Sequence, residues 1–253
     1  MFKLNGKTAI VTGAGSKNGI GRATALALAQ QGADVAVCDI NESGIKSVAD
    51  EINRLGRKSL FITVDITLQE SVLKAVQIVM NEWGRIDILA NIAGITQPIK
   101  VLDTKPEDFD RIIAVNLKGT FLFSKAVLPI MINQKMGRII NMSSVSGKRG
   151  GGVFGGAHYS AAKAGVLGFS KALAREAAPF NITVNSIAPG LVLTDIRGGI
   201  EPEEEQARMA ADIPLKRLCK VEEVAATVCF LASDEAGYIT GEEIDINGGS
   251  HMD

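Results

Sequence analysis

Two side chains four residues apart, Tyr159 and Lys163 in the run Tyr159-Ser160-Ala161-Ala162-Lys163, share one face of a segment with helical periodicity. A free phenol titrates at about 10, too high for a base at neutral pH. A neighbouring ammonium stabilises the phenolate and lowers that value. The pair can then exchange a proton with a carbinol or carbonyl oxygen. The same spacing is common on solvated helix surfaces, so it gains meaning only in company. One companion is Thr12-Gly13-Ala14-Gly15-Ser16-Lys17-Asn18-Gly19-Ile20-Gly21, between a strand-like run and a helical one. Its glycines let the backbone approach a pyrophosphate, and the helix behind them offers free N–H groups. Another is Asp39, 18 residues after Gly21 at the end of the second strand-like run. A carboxylate there accepts from adenosine ribose hydroxyls and repels a 2′-phosphate, which predicts NAD over NADP. Lys17, within reach of a phosphate, pulls toward NADP.

Elements that position these groups are read from periodicity. β-Branched runs at 8–11, 34–38, 60–64, 86–90, 138–142, 182–187 and 243–246 alternate with helical patterns at 21–31, 41–55, 68–83, 106–134, 158–178 and 221–233. Continuous apolar strands separated by helices predict a parallel sheet covered on both faces. With right-handed crossovers this is an α/β, doubly wound (Rossmann) single domain of about seven strands. The charged 191–220 stretch, with Glu201, Glu203, Glu204, Glu205 and Arg208, reads as a substrate lid or as a solvated surface helix.

Composition excludes several classes. The 27 basic and 28 acidic side chains leave a net charge of -1, which argues against nucleic acid as a partner. Cys38, Cys219 and Cys229 are far apart and lack CxxC spacing, so neither a disulfide framework nor a metal site is expected. No apolar run approaches the ~20 residues of a membrane span, and the first residues lack a signal-peptide pattern. The expectation is a cytoplasmic protein with a small-molecule substrate.

Nine pieces then appear in a fixed order: the 12–21 loop, Asp39, Asp65, Asn91-Ile92-Ala93-Gly94, Asn116, Ser143-Ser144, Tyr159 with Lys163, Pro189-Gly190, and Thr194. Gly237-Tyr238-Ile239-Thr240-Gly241 through Asn247-Gly248-Gly249 follows. In this the chain resembles the short-chain dehydrogenase/reductase family over essentially its full length, with 3-oxoacyl-thioester reductases the nearest in overall look. Three features depart from the pattern. Five residues rather than three separate Gly13 from Gly19, Ile92 replaces a common second asparagine, and the Ser144-to-Tyr159 gap is two residues longer, across the glycine-rich 150–156.

The resemblance implies that Tyr159 is the acid/base, that Lys163 lowers its pKa and holds the nicotinamide ribose, and that Ser144 positions the substrate oxygen. Asn116 would hold a water in a relay behind Lys163. Gly13, Gly15, Asn18, Gly19 and Ile20 would meet the phosphates, and Asp39 the adenosine ribose. Asp65 and Ile66 would meet the adenine, and Asn91, Ala93 and Gly94 the ribose region. Pro189, Gly190, Val192 and Thr194 would surround the nicotinamide, with Ile187 flanking it. His158 points away from Tyr159 by one helical step of ~100° and reads as packed.

Pocket walls are expected from Ile95-Thr96, Val145-Ser146, Val153-Phe154 and Gly190-Leu191, with Arg197 and Arg208 the nearby cations. These imply an NAD(H)-dependent oxidoreductase acting on a secondary alcohol or ketone: a polyol, sugar acid, hydroxysteroid or hydroxyacyl compound. The alternative is an NADPH-dependent 3-oxoacyl-thioester reductase. Members that dock acyl carrier protein often carry two basic residues near the pocket mouth. Lys135 fits one such place but Phe180 occupies the other, and Asp39 also weighs against this alternative. A non-catalytic dinucleotide-binding scaffold is disfavoured by the presence of Asn116, Ser144, Tyr159 and Lys163 together. The family further implies a homotetramer, with the apolar faces of the 106–134 and 158–178 helices as candidate interfaces.

Overall fold

All five residues of β1 (Thr8–Thr12) are buried, although the strand ends on threonines. That is the signature of a strand covered on both faces. The computed structural model describes residues 1–196 and 198–252, with side chains for all of these except 152–154. Expectations placed on Arg197 and on the side chains of Val153 and Phe154 lie outside what is described. After β1 come α1 (Ile20–Gln30), β2 (Asp34–Asp39), α2 (Glu42–Arg54), β3 (Ser59–Thr63), α3 (Gln69–Trp83) and β4 (Ile88–Asn91). The chain continues through α4 (Pro106–Ile113), α5 (Gly119–Gln134), β5 (Gly137–Met142), α6 (Val145–Arg149) and α7 (Gly152–Ala177). It ends with β6 (Ile182–Pro189), α8 (Glu203–Ala210), α9 (Val221–Ala232) and β7 (Glu243–Ile246).

The seven strands pair in parallel in the order β3-β2-β1-β4-β5-β6-β7. Strand alternation divides the interior into two cores. Ala9, Val11, Val35 and Val37 face one core with Leu28 of α1, Ile45 and Ile52 of α2, and Val228 and Leu231 of α9. Ile10, Ala36 and Cys38 face the other with Val76 of α3, Phe123 and Val127 of α5, and Leu173 of α7. The doubly wound α/β single domain expected from the sequence is the fold observed.

Three local features differ from expectation. The 106–134 stretch is helical throughout, but a π-helical turn, Ala114–Lys118, separates α4 from α5 and carries Asn116. By length and composition this stretch could cross a membrane, yet Phe123, Val127 and Met131 are fully buried in the domain core. The short helix α6 had no periodic signal, and Ser144 caps it by accepting from the Ser146 N–H at 3.1 Å. Helix α7 begins six residues before the expected 158, with a kink at Gly156 (φ 66°, ψ 171°) that only glycine adopts readily.

The 191–220 segment is part surface and part core. Glu203 and Glu204 of α8 face solvent. Met209, Ala210, Ile213 and Leu218 are buried with Leu191 and Leu193 in a small core of their own. A bridge between Val192 and Cys219 ties its two ends together, with Leu193 N–H donating to Cys219 and Cys219 N–H donating to Leu191, each at 2.9 Å.

Candidate active site

Where the strand order reverses between β1 and β4, a doubly wound sheet opens a crevice at the carboxyl ends of its strands. A cavity of about 810 Å3 occupies that place, within the range of ordinary ligand sites. One end is lined by Gly13, Ser16, Gly19, Ile20, Asp39 and Ile66, the other by Ser144, Tyr159, Lys163, Pro189, Gly190 and Thr194. Asp65, Ala93, Gly94 and Val192 also line it.

The glycine loop is a close-packed cradle. Gly13 has φ +72°, and a Cβ there would stand 2.6 Å from Ala93 Cα. A Cβ on Gly21 would stand 2.2 Å from the Gly13 carbonyl oxygen. The two additional residues are taken up by a turn in which Gly19 N–H donates to Ser16 O at 3.3 Å. Helix α1 begins at this loop with no side-chain cap and no acidic residue in its first turn, so its positive end is unneutralised by its own sequence. Gly15 and Asn18 do not line the cavity. Gly15 instead lies behind it and donates its N–H to Asp39 Oδ2 at 2.9 Å. Asn41 N–H donates to Asp39 Oδ1 at 3.0 Å, and Asn41 Nδ2 donates to the Gly15 carbonyl at 2.9 Å. The Asp39 carboxylate is thereby fixed at the loop before any ligand arrives.

Asn91 sits elsewhere than expected. It is buried at the end of β4, and its Nδ2 donates to Asn141 Oδ1 at 2.8 Å and to Ser124 Oγ at 3.2 Å. Asn141 Nδ2 in turn donates to Ser170 Oγ of α7 at 2.8 Å. The Asn91 side chain therefore links β4, β5, α5 and α7 inside the domain rather than facing the cavity. Ile187, too, lies in the core; its carbonyl accepts from Ser143 N–H at 2.8 Å. Asp65 is at the cavity edge, where its Oδ1 accepts from Thr67 N–H and Oγ1 at 2.8 and 2.7 Å. His158 is buried and away from the cavity.

Tyr159 and Lys163 meet Ser144 in one crevice. Lys163 is 2% exposed. Its Nζ donates to Met142 O at 2.8 Å and lies 5.7 Å from the Tyr159 ring centroid. Burial drives the Lys163 amine down to about 7. Burial also pushes the Tyr159 phenol above its usual range, with a hydrogen bond to Ser144 acting in the opposite direction. The lowered phenol anticipated from the sequence is thus not a property of the ligand-free chain. Loss of water dominates, and the amine is directed at a backbone carbonyl and is itself desolvated. Ser143 Oγ donates to the Lys163 carbonyl at 2.9 Å and pins α7 to the end of β5, leaving Ser144 as the hydroxyl beside the phenol.

Asn116, wholly buried in the π-helical turn, donates through Nδ2 to the carbonyls of Ile95 at 2.9 Å and Ile112 at 3.0 Å. Its Oδ1 has no partner. A Cβ on Gly94 would stand 2.7 Å from that oxygen and 3.3 Å from Lys163 Nζ, so the two polar atoms converge behind Gly94. Sequence reasoning missed Arg111, Val115, Asp195 and Met209, which also line the cavity. Arg111 and Val115 are one turn apart beside Asn116, a spacing that carries no chemical label of its own. The tight glycine approaches, the uncapped α1 and the orphaned Asn116 oxygen all fit a dinucleotide in this cavity.

Comparison with known proteins agrees with this geometry. A family described as enoyl-(acyl carrier protein) reductase matches residues 13–251. An uncharacterized short-chain type dehydrogenase/reductase of Sinorhizobium fredii is 47% identical over 97% of this chain and 98% of its own length. The 3-oxoacyl-acyl-carrier-protein reductase FabG of Escherichia coli is 44% identical over 99% of this chain and 100% of its own. The crystal structure of a short-chain type dehydrogenase/reductase from Mycobacterium marinum superposes with a TM-score of 0.93 at 38% identity, covering 100% of this chain and 98% of that one. The chain therefore belongs to the short-chain dehydrogenase/reductase family and is an NAD(P)-dependent oxidoreductase.

Proposed function

We propose that the chain interconverts a secondary alcohol and a ketone with NAD(H), using Tyr159 as the acid/base. The observation that carries this reading is the meeting of Ser144, Tyr159 and Lys163 at one end of a cavity whose other end holds a fixed Asp39. When bound, nicotinamide supplies or accepts the hydride. In reduction, Ser144 and Tyr159 hold the substrate oxygen and the phenol gives it a proton; in oxidation the proton returns. Burial holds the phenol protonated at neutral pH, which suits the donor role. Lys163 would contact the nicotinamide ribose and, with Asn116 behind Gly94, would replenish the proton. Gly13, Gly19, Ile20, Asp65, Ile66, Ala93, Gly94, Pro189, Gly190, Val192 and Thr194 line the cavity and would hold the dinucleotide, with Gly15 and Asn18 shaping the loop.

Ile95, Thr96, Val145, Leu191, Ile196 and Met209 form an uncharged stretch of the cavity wall, with Arg111 the cation beside it among the described residues. This supports a partly apolar skeleton, and the 191–220 segment as its lid. A second reading, 3-oxoacyl-thioester reduction with NADPH, is favoured by the 44% identity to the E. coli reductase. Asp39 and the half-exposed Phe180 weigh against it. A cytoplasmic homotetramer completes the proposal, supported by the exposed apolar Phe109 and Phe121 on α4 and α5.

The test is dinucleotide oxidation and reduction with NAD(H) and NADP(H) against simple ketones, polyols and an acetoacetyl thioester. Wild-type turnover of ketones with NADH is expected, with Tyr159→Phe slowing it by about 10^2- to 10^4-fold while NADH binding persists. Unchanged turnover in Tyr159→Phe removes the assigned proton donor, and a strict NADPH and thioester requirement selects the second reading.

A further inference from the structure

Opposite the glycine loop, the Asp195 carboxylate accepts from Ser16 Oγ and from Asn18 N–H, the latter at 3.2 Å. These partners are 179 and 177 residues apart in sequence. A loop built to bind an anion therefore already holds one, and it comes from the chain itself. Helix α1 brings no acid of its own to this place, since neither its cap nor its first turn supplies a carboxylate. Thr194 and Ile196, on either side of Asp195, line the same cavity, as do Ser16 and Gly19.

We propose that Asp195 is an internal competitor for the dinucleotide phosphates, latching the 191–196 segment onto the glycine loop until the cofactor displaces it. The inference rests on the reading that this loop takes the phosphates of a dinucleotide. Two anions cannot share the same few donors without strong repulsion in a partly desolvated crevice. Phosphate entry thus breaks the contacts to Ser16 and Asn18. Because Asp195 is covalently continuous with Thr194 and Ile196, its release also resets the wall of the substrate pocket. Cofactor affinity is lowered by the latch, and cofactor and lid position become coupled.

Asp195→Asn keeps the shape and removes the charge. Titration of NADH fluorescence and calorimetry with ADP-ribose, which lacks nicotinamide, should show affinity about five- to tenfold tighter than wild type at low salt. The gain should shrink as salt is raised. Adenosine, which has no phosphate, should bind both proteins equally. In a Ser16→Ala background the effect of Asp195→Asn should diminish, since one donor of the latch is already gone. Asp195→Ser serves as a second variant, and thermal melting establishes that each protein is folded. Equal or weaker ADP-ribose binding by folded Asp195→Asn and Asp195→Ser overturns the proposal, as does an equal gain with adenosine. Failure of the wild type itself to bind NADH, NADPH or ADP-ribose would instead overturn the dinucleotide reading of the loop.

Discussion

Replacing Lys163 with methionine should stabilise the cofactor-free protein while destroying turnover. The amine is 2% exposed, and burial takes it from an ordinary 10.5 to about 7. At 1.36 kcal/mol per pH unit, holding that charge inside the fold costs about 5 kcal/mol at pH 6. Methionine fits a similar volume but leaves the Met142 carbonyl without its 2.8 Å donor, a loss of about 1–2 kcal/mol. The net gain is then about 3 kcal/mol at pH 6, or ~6–12 °C in Tm for a domain of this size. The sign follows from linkage. Below pH 7 both folded and unfolded lysines are protonated and the full penalty stands. Between 7 and 10.5 the unfolded chain binds a proton that the folded chain lacks, so wild-type stability rises with pH. At pH 9 the penalty has fallen to about 2 kcal/mol, and little of the variant's advantage remains. Urea unfolding of both proteins without cofactor, at pH 6 and pH 9 and one protein concentration, reads this difference. A Lys163→Met protein that is less stable than wild type at pH 6, or whose advantage is the same at pH 9, refutes the reasoning. The expected outcome makes Lys163 a residue retained for chemistry at the expense of stability.

Asp39→Ala should raise the NADP-to-NAD ratio of kcat/KM by about 10^2, the equivalent of about 3 kcal/mol; an unchanged ratio refutes the role given to that carboxylate. Gly21→Ala should destabilise the fold by about 1–3 kcal/mol and weaken NADH binding, because its Cβ would press on the Gly13 carbonyl; thermal melting and fluorescence titration check both effects. Burial raises the Tyr159 pKa, so ketone reduction should hold steady through neutral pH and fall only in alkali. Alcohol oxidation, which needs the phenolate, should climb across the same range; pH profiles of the two directions that coincide would contradict this.

The parts of the fold legible in the sequence are those set by local pattern. β1, β2 and β4 are nearly unbroken apolar runs, β3, β5 and β6 keep apolar or β-branched residues around a few polar ones, and α1, α2 and α3 have clear amphipathic periods, so their bounds moved by only one or two residues. Helix α6 escaped because five residues, Val145-Ser146-Gly147-Lys148-Arg149, are too few for a period and include a glycine. The π-helical turn escaped because it breaks neither the apolar pattern nor the helical propensity; it changes only which way Asn116 faces. In the site, Tyr159, Lys163 and Ser144 were found by spacing and order, and their convergence required the parallel sheet to bring α6 and α7 to one place. Asn91 was assigned to the cavity because it heads the Asn91-to-Gly94 run, yet side chains alternate along a strand, and its own points into the domain. Asp195 carried no signal at all, since its partners lie on the opposite side of the sequence. The direction of the Tyr159 shift was misjudged because a sequence shows the neighbouring charge but not the loss of water around both groups.

The hydrogen-bonded ladder from Asn91 through Asn141 to Ser170 has a bearing on catalysis that distance conceals. Ser170 lies 11 residues beyond Tyr159, about 16 Å along the axis of α7. It accepts from Asn141 and donates to the Val166 carbonyl at 2.7 Å, fixing the rotation of the helix about its own axis. The azimuth of the phenol is therefore inherited from remote amide groups. Drift at positions 91, 141 or 170 would detune turnover without altering a single atom of the cavity wall.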